Sequence, residues 1–434
     1  VGEVSPRYSA VKGTRDIFPP ESERWASAEA VCRSVFSGYG YGEVRTPVLE
    51  STELFARSVG ETTDLVHKEM YTFPDRKGRS LTLRPENTAG VVRAVIESGT
   101  AAGPMPLRLW YVGTQYRFER PQAGRYREFR QIGAELLGVG GPAAEAEILT
   151  MLFSFLSALG FVGLSVALNS VGTSATREKL GEALRSALAS KAAAFGEDDR
   201  RKLEQNPLRL FDSKDPEVQS ALAAGPKPMD FLDDASRRHH QEVCALLRQA
   251  GIPFTEAPSL VRGLDYYTRT VFEVVSSGLG AQDAILGGGR YDGLVAALGG
   301  PELPAIGFAI GEDRLLQAAP YRPPQKGLAL ILPGAPEDLP AALRVAEEIR
   351  RLGGDLSVET DLNARGFKKA MSRANDLFSR AGELGFDPAR MFAVLVGERE
   401  RAQKQVTVKR LSTGEQETFA ESQLAERLGA GRQA

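Results

Sequence analysis

Cysteine, histidine and tryptophan are scarce in this chain: 434 residues hold two cysteines, three histidines and two tryptophans. Cys32 and Cys244 lie far apart and lack the paired spacing of a zinc site, so neither a disulfide framework nor a protein-bound structural metal is indicated. Both read as buried thiols. The histidines are His67, His239 and His240, and the adjacent pair cannot serve one site from a helix, where residues three or four apart share a face. Histidine-based catalysis is therefore not indicated. No stretch approaches the roughly 20 apolar residues of a membrane span, and the opening VGEVSPRYSAVKG has no apolar core of the signal-peptide kind. A cytoplasmic protein with no membrane partner is expected. The charge also favours neither sign: a net −2 argues against a protein that coats nucleic acid indiscriminately, because such binding depends on neutralising many phosphates. A Walker loop, a dinucleotide fingerprint, internal repeats and low-complexity tracts are all missing.

What is present is a globular composition, 42% hydrophobic and 25% charged, at a length that suits two or three domains. From Glu21 to about Phe36, Trp25, Ala28, Cys32 and Val35 recur at helical spacing, and Gly38 and Gly40 end the run. EVRTPVLE is β-branched but carries Pro47, which cannot donate a ladder hydrogen bond and so suits an edge strand open to a partner. Leu81 and Leu83 alternate ahead of RPENT, after which a helix is expected to start near Glu86 or Asn87. PLRLWYVGTQYRFER and YREFRQIGAELLG flank the turn-forming PQAG and predict a long antiparallel hairpin. Its tip is the most basic stretch of the chain, with Arg117, Arg120, Arg125, Arg127 and Arg130 against Glu119 and Glu128. On the return strand Gln131, Gly133 and Glu135 share a face, and the small residue between two polar ones leaves room for a ligand.

Residues from about 172 to 250 change character to alanine-rich and charged helical runs, as a helical insertion would. Strand signals return in YYTRTVFEVV, followed by GGGRYDGL and by ELPAIGFAIGEDRLLQA, which reads as strand, glycine and helix with Arg314 on the first turn. YRPPQKG at 321–327 has the composition of a linker. Beyond it, GLALILPG, DLSVET and MFAVLVGE alternate with two helical runs, which predicts a small sheet with parallel strands. The domains expected are thus 1–325, with the insertion, and 326–434.

The middle of the chain offers arginines beside glycine-rich turns and acids at strand ends, without a nucleophile and base pair. Arginine is always charged and offers forked donors to phosphate oxygens, so such a site suits phosphate chemistry. RTPVLE, RFERPQAGRYREFRQIGAE and AIGFAIGEDRL, in this order, resemble the three motifs of class II aminoacyl-tRNA synthetases. LVRGLDYYTRTVFEV and GGGRYDGL resemble the signature segments of the histidine-specific branch, and the similarity extends over nearly the whole chain.

The resemblance implies an α/β (α+β) architecture: an antiparallel catalytic sheet flanked by helices, with a helical insertion and a C-terminal α/β anticodon-binding domain. It implies ATP as substrate, Mg²⁺ as its companion ion, L-histidine and tRNA(His) as partners, and a homodimer built through motif 1. Arg117 takes the place of the arginine that holds the ATP α-phosphate, Arg314 that of the arginine on the γ-phosphate, and Arg262 that of a second cation at the α-phosphate. Glu86, Thr88 and Gln131 fall around the ammonium group of histidine, and Glu135 and Tyr267 around its imidazole. Asn87, Tyr266 and Tyr291 complete that set. Arg120, Gln122 and Arg125 resemble the loop that meets the tRNA acceptor end, where Gln122 is the candidate reader of an extra 5′ guanosine.

Each assignment has a structural alternative. Arg117 could pair with Glu119 or Glu128, Arg262 with Asp265, and Arg314 could be a solvated helix arginine. The tyrosines could be core packing, and Gly287, Gly288 and Gly289 a flexible turn. Two positions depart from the resemblance: Asn87 stands where glycine is usual, and Arg130 where histidine is usual. Asparagine tolerates a left-handed backbone, which would preserve the turn. FSRAGELGFDPAR also makes the terminal domain longer there than the resemblance leads one to expect. A rival is the synthetase-like regulatory subunit of ATP phosphoribosyltransferase, which usually lacks the terminal domain and loses catalytic motif residues. A second is a synthetase for proline, glycine or threonine, against which LVRGLDYY argues.

Overall fold

The computed structural model describes residues 8–429 apart from 61, 62, 64, 122, 123 and 278–283. The chain divides into two compact units, one of Ala28–Tyr321 with the segment before Ile17, the other of Ile17–Ser27 with the chain from Arg322 onward.

The strands of the first unit are β1 (Gly42–Glu43), β2 (Leu49–Ser51), β3 (Tyr71–Pro74), β4 (Ser80–Leu83), β5 (Leu107–Tyr116), β6 (Glu128–Leu137), β7 (Leu164–Ser170), β8 (Phe254–Glu256), β9 (Thr268–Ser276), β10 (Ala284–Arg290) and β11 (Ala305–Gly311). Eight of them form one sheet in the order β1-β5-β6-β11-β10-β9-β7-β8. Its interior is antiparallel, and only the edge strands β1 and β8 run parallel to their neighbours. The expected hairpin is β5 with β6, in unbroken register from Leu107 opposite Leu137 to Tyr116 opposite Glu128. EVRTPVLE was expected as one edge strand and is not. It splits into β1, at the edge of the large sheet, and β2, at the edge of a small sheet ordered β2-β4-β3, with Pro47 in the break. A residue without an N–H separates two short strands more readily than it joins one long one.

One face of the large sheet is covered by the part of the helix Glu21–Gly38 that starts at Ala28 and by the helix Ala143–Ala158. Phe36, from the first, meets Trp110, Phe155 and Phe308 edge-on at centroid separations of 5.9, 5.4 and 5.9 Å. All four rings are buried, and each contributes on the order of 2–3 kcal/mol. That rigid backing leaves the other face free for chemistry.

Between β7 and β8 the chain is helical, as the composition suggested. Ser174–Leu188, Glu197–Gln205 and Pro216–Ala223 enclose a small core of their own around Leu180, Leu184, Leu203 and Val218. The last helix, Asp234–Gln249, instead packs on the sheet and on Ala143–Ala158.

The second unit has β12 (Lys326–Pro333), β13 (Leu356–Thr360), β14 (Phe386–Val396), β15 (Gln405–Arg410) and β16 (Gln416–Ala420), in the order β13-β12-β14-β15-β16. Alternate residues of β12 face opposite helices: Ala329 and Ile331 meet Leu339–Arg351, while Leu328, Leu330 and Leu332 meet Phe367–Ser379. The parallel strands expected are β12, β13 and β14. The sheet is nonetheless mixed, because β15 and β16 add an antiparallel hairpin that the sequence reading missed. FSRAGELGFDPAR ends the second helix and begins a long β14.

Candidate active site

The open face of the large sheet has a floor lined mainly by glycine, with Ala309 among them. Gly133 on β6, Gly307 on β11 and Gly287 and Gly289 on β10 lie in neighbouring registers. A Cβ on any of them would collide with a polar side chain lying over the sheet: Tyr111 above Gly133, Glu135 above Gly307, Arg262 above Gly287 and Tyr267 above Gly289. The triple glycine is therefore mid-strand and not a flexible turn; it is absent side-chain volume that lets these four groups lie flat on the backbone.

Glu135 is the centre of this face. It is fully buried, accepts hydrogen bonds from Thr88 Oγ1 at 2.9 Å and Tyr291 Oη at 2.5 Å, and has no cation as partner among the described residues. Burial pushes its carboxyl up to about 8 against the pull of those two donors, and buried Glu86 pushes the same way. Glu86 caps the helix Thr88–Glu97, accepting from the Thr88 and Ala89 amides at 2.7 and 3.0 Å; burial raises its pKa while those donors oppose the rise. Two buried carboxylates thus stand ready with too few positive partners. Gln131, at the end of the same strand face, keeps a buried Oε1 with no hydrogen-bond partner among the described residues. Tyr266 rests 4.7 Å from Tyr267 and 5.6 Å from Tyr291, ring to ring, so all three tyrosines line one wall.

The arginines gather at one end of the sheet. Arg117 follows β5 directly, donates from Nε to the Pro85 carbonyl at 2.8 Å and lies over the Phe129 ring. Neither suspected partner holds it: Glu119 pairs with Arg125 instead. Gly311, the last residue of β11, pairs with Gln131, and the next residue starts the helix Glu312–Ala318 whose first turn carries exposed Arg314. Arg262 does not pair with Asp265. Its Nη1 meets Glu273 Oε1 at 2.5 Å, while Asp265 is taken by Arg209 Nη2 at 2.8 Å and Asn206 Nδ2 at 3.0 Å. Arg262 Nε is buried without a partner among the described residues, and the residue borders a cavity of about 360 Å³ that Tyr267, Arg177 and Arg209 also line. At the hairpin tip Arg120 and Arg125 are exposed; Gln122 lies outside the described residues.

A family model described as histidyl-tRNA synthetase matches residues 13–315, and one described as an anticodon binding domain matches residues 329–430. The chain belongs to the histidyl-tRNA synthetase family. It is 47% identical over 430 residues to the histidine–tRNA ligase of Koribacter versatilis, covering 96% of this chain and 95% of that one. The histidine–tRNA ligase of Synechococcus elongatus is 45% identical, with 96% and 93% covered. The crystal structure of apo Staphylococcus aureus histidyl-tRNA synthetase superposes with a TM-score of 0.77 at 33% identity, over 97% of this chain and 99% of that one. Near-full-length likeness to ligases favours the synthetase over the regulatory-subunit reading.

Both departures from the family pattern now have a physical account, and one overturns the expectation. Asn87 is not left-handed: its φ is −115° and its ψ −15°. Its Oδ1 accepts from Thr46 Oγ1 at 2.7 Å and from Arg84 Nη1 at 3.0 Å, so asparagine is here for its side chain, which is committed to the motif 1 segment. Arg130 carries its charge to acids, meeting Glu312 Oε2 at 3.1 Å and Glu29 Oε1 at 2.5 Å. Three further residues escaped the sequence reading. Tyr111 lies over Gly133; Arg84 is buried and also donates to the Thr46, Pro47 and Thr114 carbonyls; Glu273 holds Arg262. Only the alternation of β5 and β9 hinted at the first and last, and it cannot tell a pocket face from a core face.

Proposed function

We propose that this enzyme activates L-histidine with ATP and transfers it to the 3′ end of tRNA(His), with the residues of the glycine-floored face as its adenylation site. The observation that carries the reading is Glu135 lying flat over Gly307 with two hydroxyl donors and no cation. The imidazole of histidine fits there between Glu135 and Tyr267, since a carboxyl that titrates near 8 can accept from one ring nitrogen or, protonated, donate to the other. The ammonium group falls to Glu86, Thr88 and Gln131. A competitor without the ring nitrogens leaves buried polar groups unpaired, which permits rejection on the order of 10⁴.

The histidine carboxylate then attacks the α-phosphorus in line. A carboxyl-oxygen to phosphorus bond forms, the bond to the β-phosphate oxygen breaks, and its electron pair leaves with pyrophosphate. Arg117 and Arg262 hold the α-phosphate and Arg314 the γ-phosphate, so the charge that develops meets fixed guanidinium groups. No general base is needed, because the nucleophile is already ionised. The 3′-terminal ribose hydroxyl next attacks the carbonyl carbon: the ester bond forms, the bond from that carbon to the phosphate oxygen breaks, AMP leaves with its electron pair, and the hydroxyl proton passes to the departing phosphate. Arginines supply no oxygen ligand, and the nearby Glu273 and Glu312 are paired with Arg262 and Arg130; Mg²⁺, which takes oxygens, would fit as an ion carried on the ATP phosphates and water. When bound it neutralises charge on the leaving pyrophosphate.

For the tRNA, Arg120, Gln122 and Arg125 are placed at the acceptor end by resemblance, and the second unit at the anticodon. Arg125 itself is exposed, and its pairing with the largely covered Glu119 leaves its guanidinium open to a phosphate on the solvent side. A homodimer through the β1–β2 segment and a cytoplasmic location complete the proposal; among the described residues no helix is long and apolar enough to cross a membrane. The test is exchange of labelled pyrophosphate into ATP, expected with histidine and not with proline, glycine or threonine. No exchange with histidine sinks the reading. Charging of tRNA(His) with and without the extra 5′ guanosine tests the second half.

A further inference from the structure

The helix Asp234–Gln249 carries His240 and Cys244 one turn apart, and β8 brings Glu256 against them. β8 is the outermost strand of the large sheet, paired in parallel through Val166, Ala167 and Leu168 with Phe254, Thr255 and Glu256 and touched on the helix side by Arg248 over the Phe254 ring. His240 Nε2 lies 3.7 Å from Cys244 Sγ and 3.8 Å from Glu256 Oε1, and the three donor atoms all lie within 4.8 Å of one another. The imidazole and the thiol are 4% and 3% exposed, whereas the carboxylate reaches solvent.

The sulfur contact has the length of a weak Cys244–His240 hydrogen bond and the Glu256 contact is longer than a strong one, while His240 Nδ1 is buried with no partner among the described residues. A buried ring held by one weak sulfur contact, with its other nitrogen unpaired among the described residues, is under-satisfied. The distances do suit a shared ion. Zinc takes nitrogen at about 2.0–2.1 Å and thiolate sulfur at about 2.3 Å, which in a tetrahedron sets the two ligands about 3.5 Å apart. Glu256, being exposed, can turn its carboxylate inward by the roughly 1 Å that the widest of the three separations requires. A water molecule can fill the fourth position from the solvent side.

We propose that His240, Cys244 and Glu256 form a binding site for a zinc-like divalent transition metal, fastening the edge strand β8 to the helix Asp234–Gln249. Sulfur, imidazole and carboxylate together select borderline cations over magnesium, which takes oxygen ligands. On binding, the Cys244 thiol gives its proton to solvent as the sulfur–metal bond forms. The sequence hid this site because its spacing is one helical turn plus a carboxylate on a strand, with no Cys-x-x-Cys pair to announce it. The neighbouring His239 does not take part: its Nε2 meets Glu145 at 2.7 Å on another side of the helix.

Cobalt(II) titration of the full chain tests the site, since a cobalt–thiolate bond absorbs in the near ultraviolet. The unaltered chain should show that absorption, saturating at one equivalent, displaced by zinc(II), unaffected by magnesium and accompanied by a higher melting temperature. Cys244→Ser should abolish the absorption, and Cys32→Ser should keep it. Glu256→Gln, at an exposed position that cannot unfold the chain, should weaken cobalt binding more than about tenfold. Absence of thiolate absorption in the unaltered chain overturns the proposal, as does its persistence in Cys244→Ser, an unchanged affinity in Glu256→Gln, or displacement by magnesium.

Discussion

Substituting Gly287 with alanine tests the glycine floor without removing any functional group. Position 287 sits inside β10 opposite Ala309 and Glu273, at an ordinary strand conformation, so alanine meets no backbone penalty and even gains roughly 0.5–1 kcal/mol over glycine. The new methyl would overlap the Cζ and both terminal nitrogens of Arg262, and the guanidinium would have to withdraw by about 1 Å to reach van der Waals distance. A misplacement of about 1 Å at a reacting centre costs about 100-fold in rate, or about 2.7 kcal/mol of barrier. Gly287→Ala should therefore lose about 100-fold in histidine-dependent pyrophosphate exchange while unfolding in urea at the parent's midpoint or above it. Because the loss passes through Arg262, the effects should not add: in an Arg262→Ala background the same glycine change should alter exchange by less than about threefold. Exchange within about threefold of the parent in Gly287→Ala alone would refute the clamp, and so would full additivity with Arg262→Ala.

Other expectations are open to direct measurement. Arg117→Ala should remain folded by circular dichroism and lose about 100-fold or more in pyrophosphate exchange, since it removes a donor from the developing charge; parental turnover would place the α-phosphate elsewhere. Glu135 stays protonated in the folded chain up to about pH 8 but ionises near its ordinary value when unfolded. Its contribution is therefore present below the unfolded pKa and lost as pH rises towards 8, by a few kcal/mol in order of magnitude. Thermal melting without ligand should fall less between pH 5 and pH 8 in Glu135→Gln than in the parent, and equal slopes would contradict the assignment. Arg130→Ala leaves Glu312 buried without its Arg130 partner and should cost about 3 kcal/mol by urea denaturation, most of it restored by adding Glu312→Leu; a double variant no more stable than the single one would count against that pairing. Light scattering at micromolar concentration should report a dimer, and a monomer would remove the role given to the β1–β2 segment.

Much of the catalytic sheet was legible in the sequence because its strands alternate cleanly. The β5–β6 hairpin, the helix after RPENT and the strand-to-helix passage at Arg314 all stand where period and glycine placed them. What escaped depends on partners distant along the chain. Arg262 is neutralised by Glu273 across a strand, while the nearer Asp265 is claimed by Arg209 from the helical insertion; proximity in sequence pointed to the wrong acid. Asn87 failed for a different reason. Its residue type allows a left-handed turn or a side-chain anchor equally, and only the position of Thr46 and Arg84 decides between them. The glycine run was visible, yet whether it was hinge or floor depended on which side chains lay above it.

The bare floor also bears on how this enzyme can change. Glycine within a strand is where stabilising substitutions are most easily found, since almost any side chain there restricts the unfolded chain and pairs with its neighbours. At Gly133, Gly287, Gly289 and Gly307 those same substitutions would drive Tyr111, Arg262, Tyr267 or Glu135 off the sheet. Selection or engineering for heat resistance is thus barred from four positions at the centre of the molecule, and gains must come from its periphery.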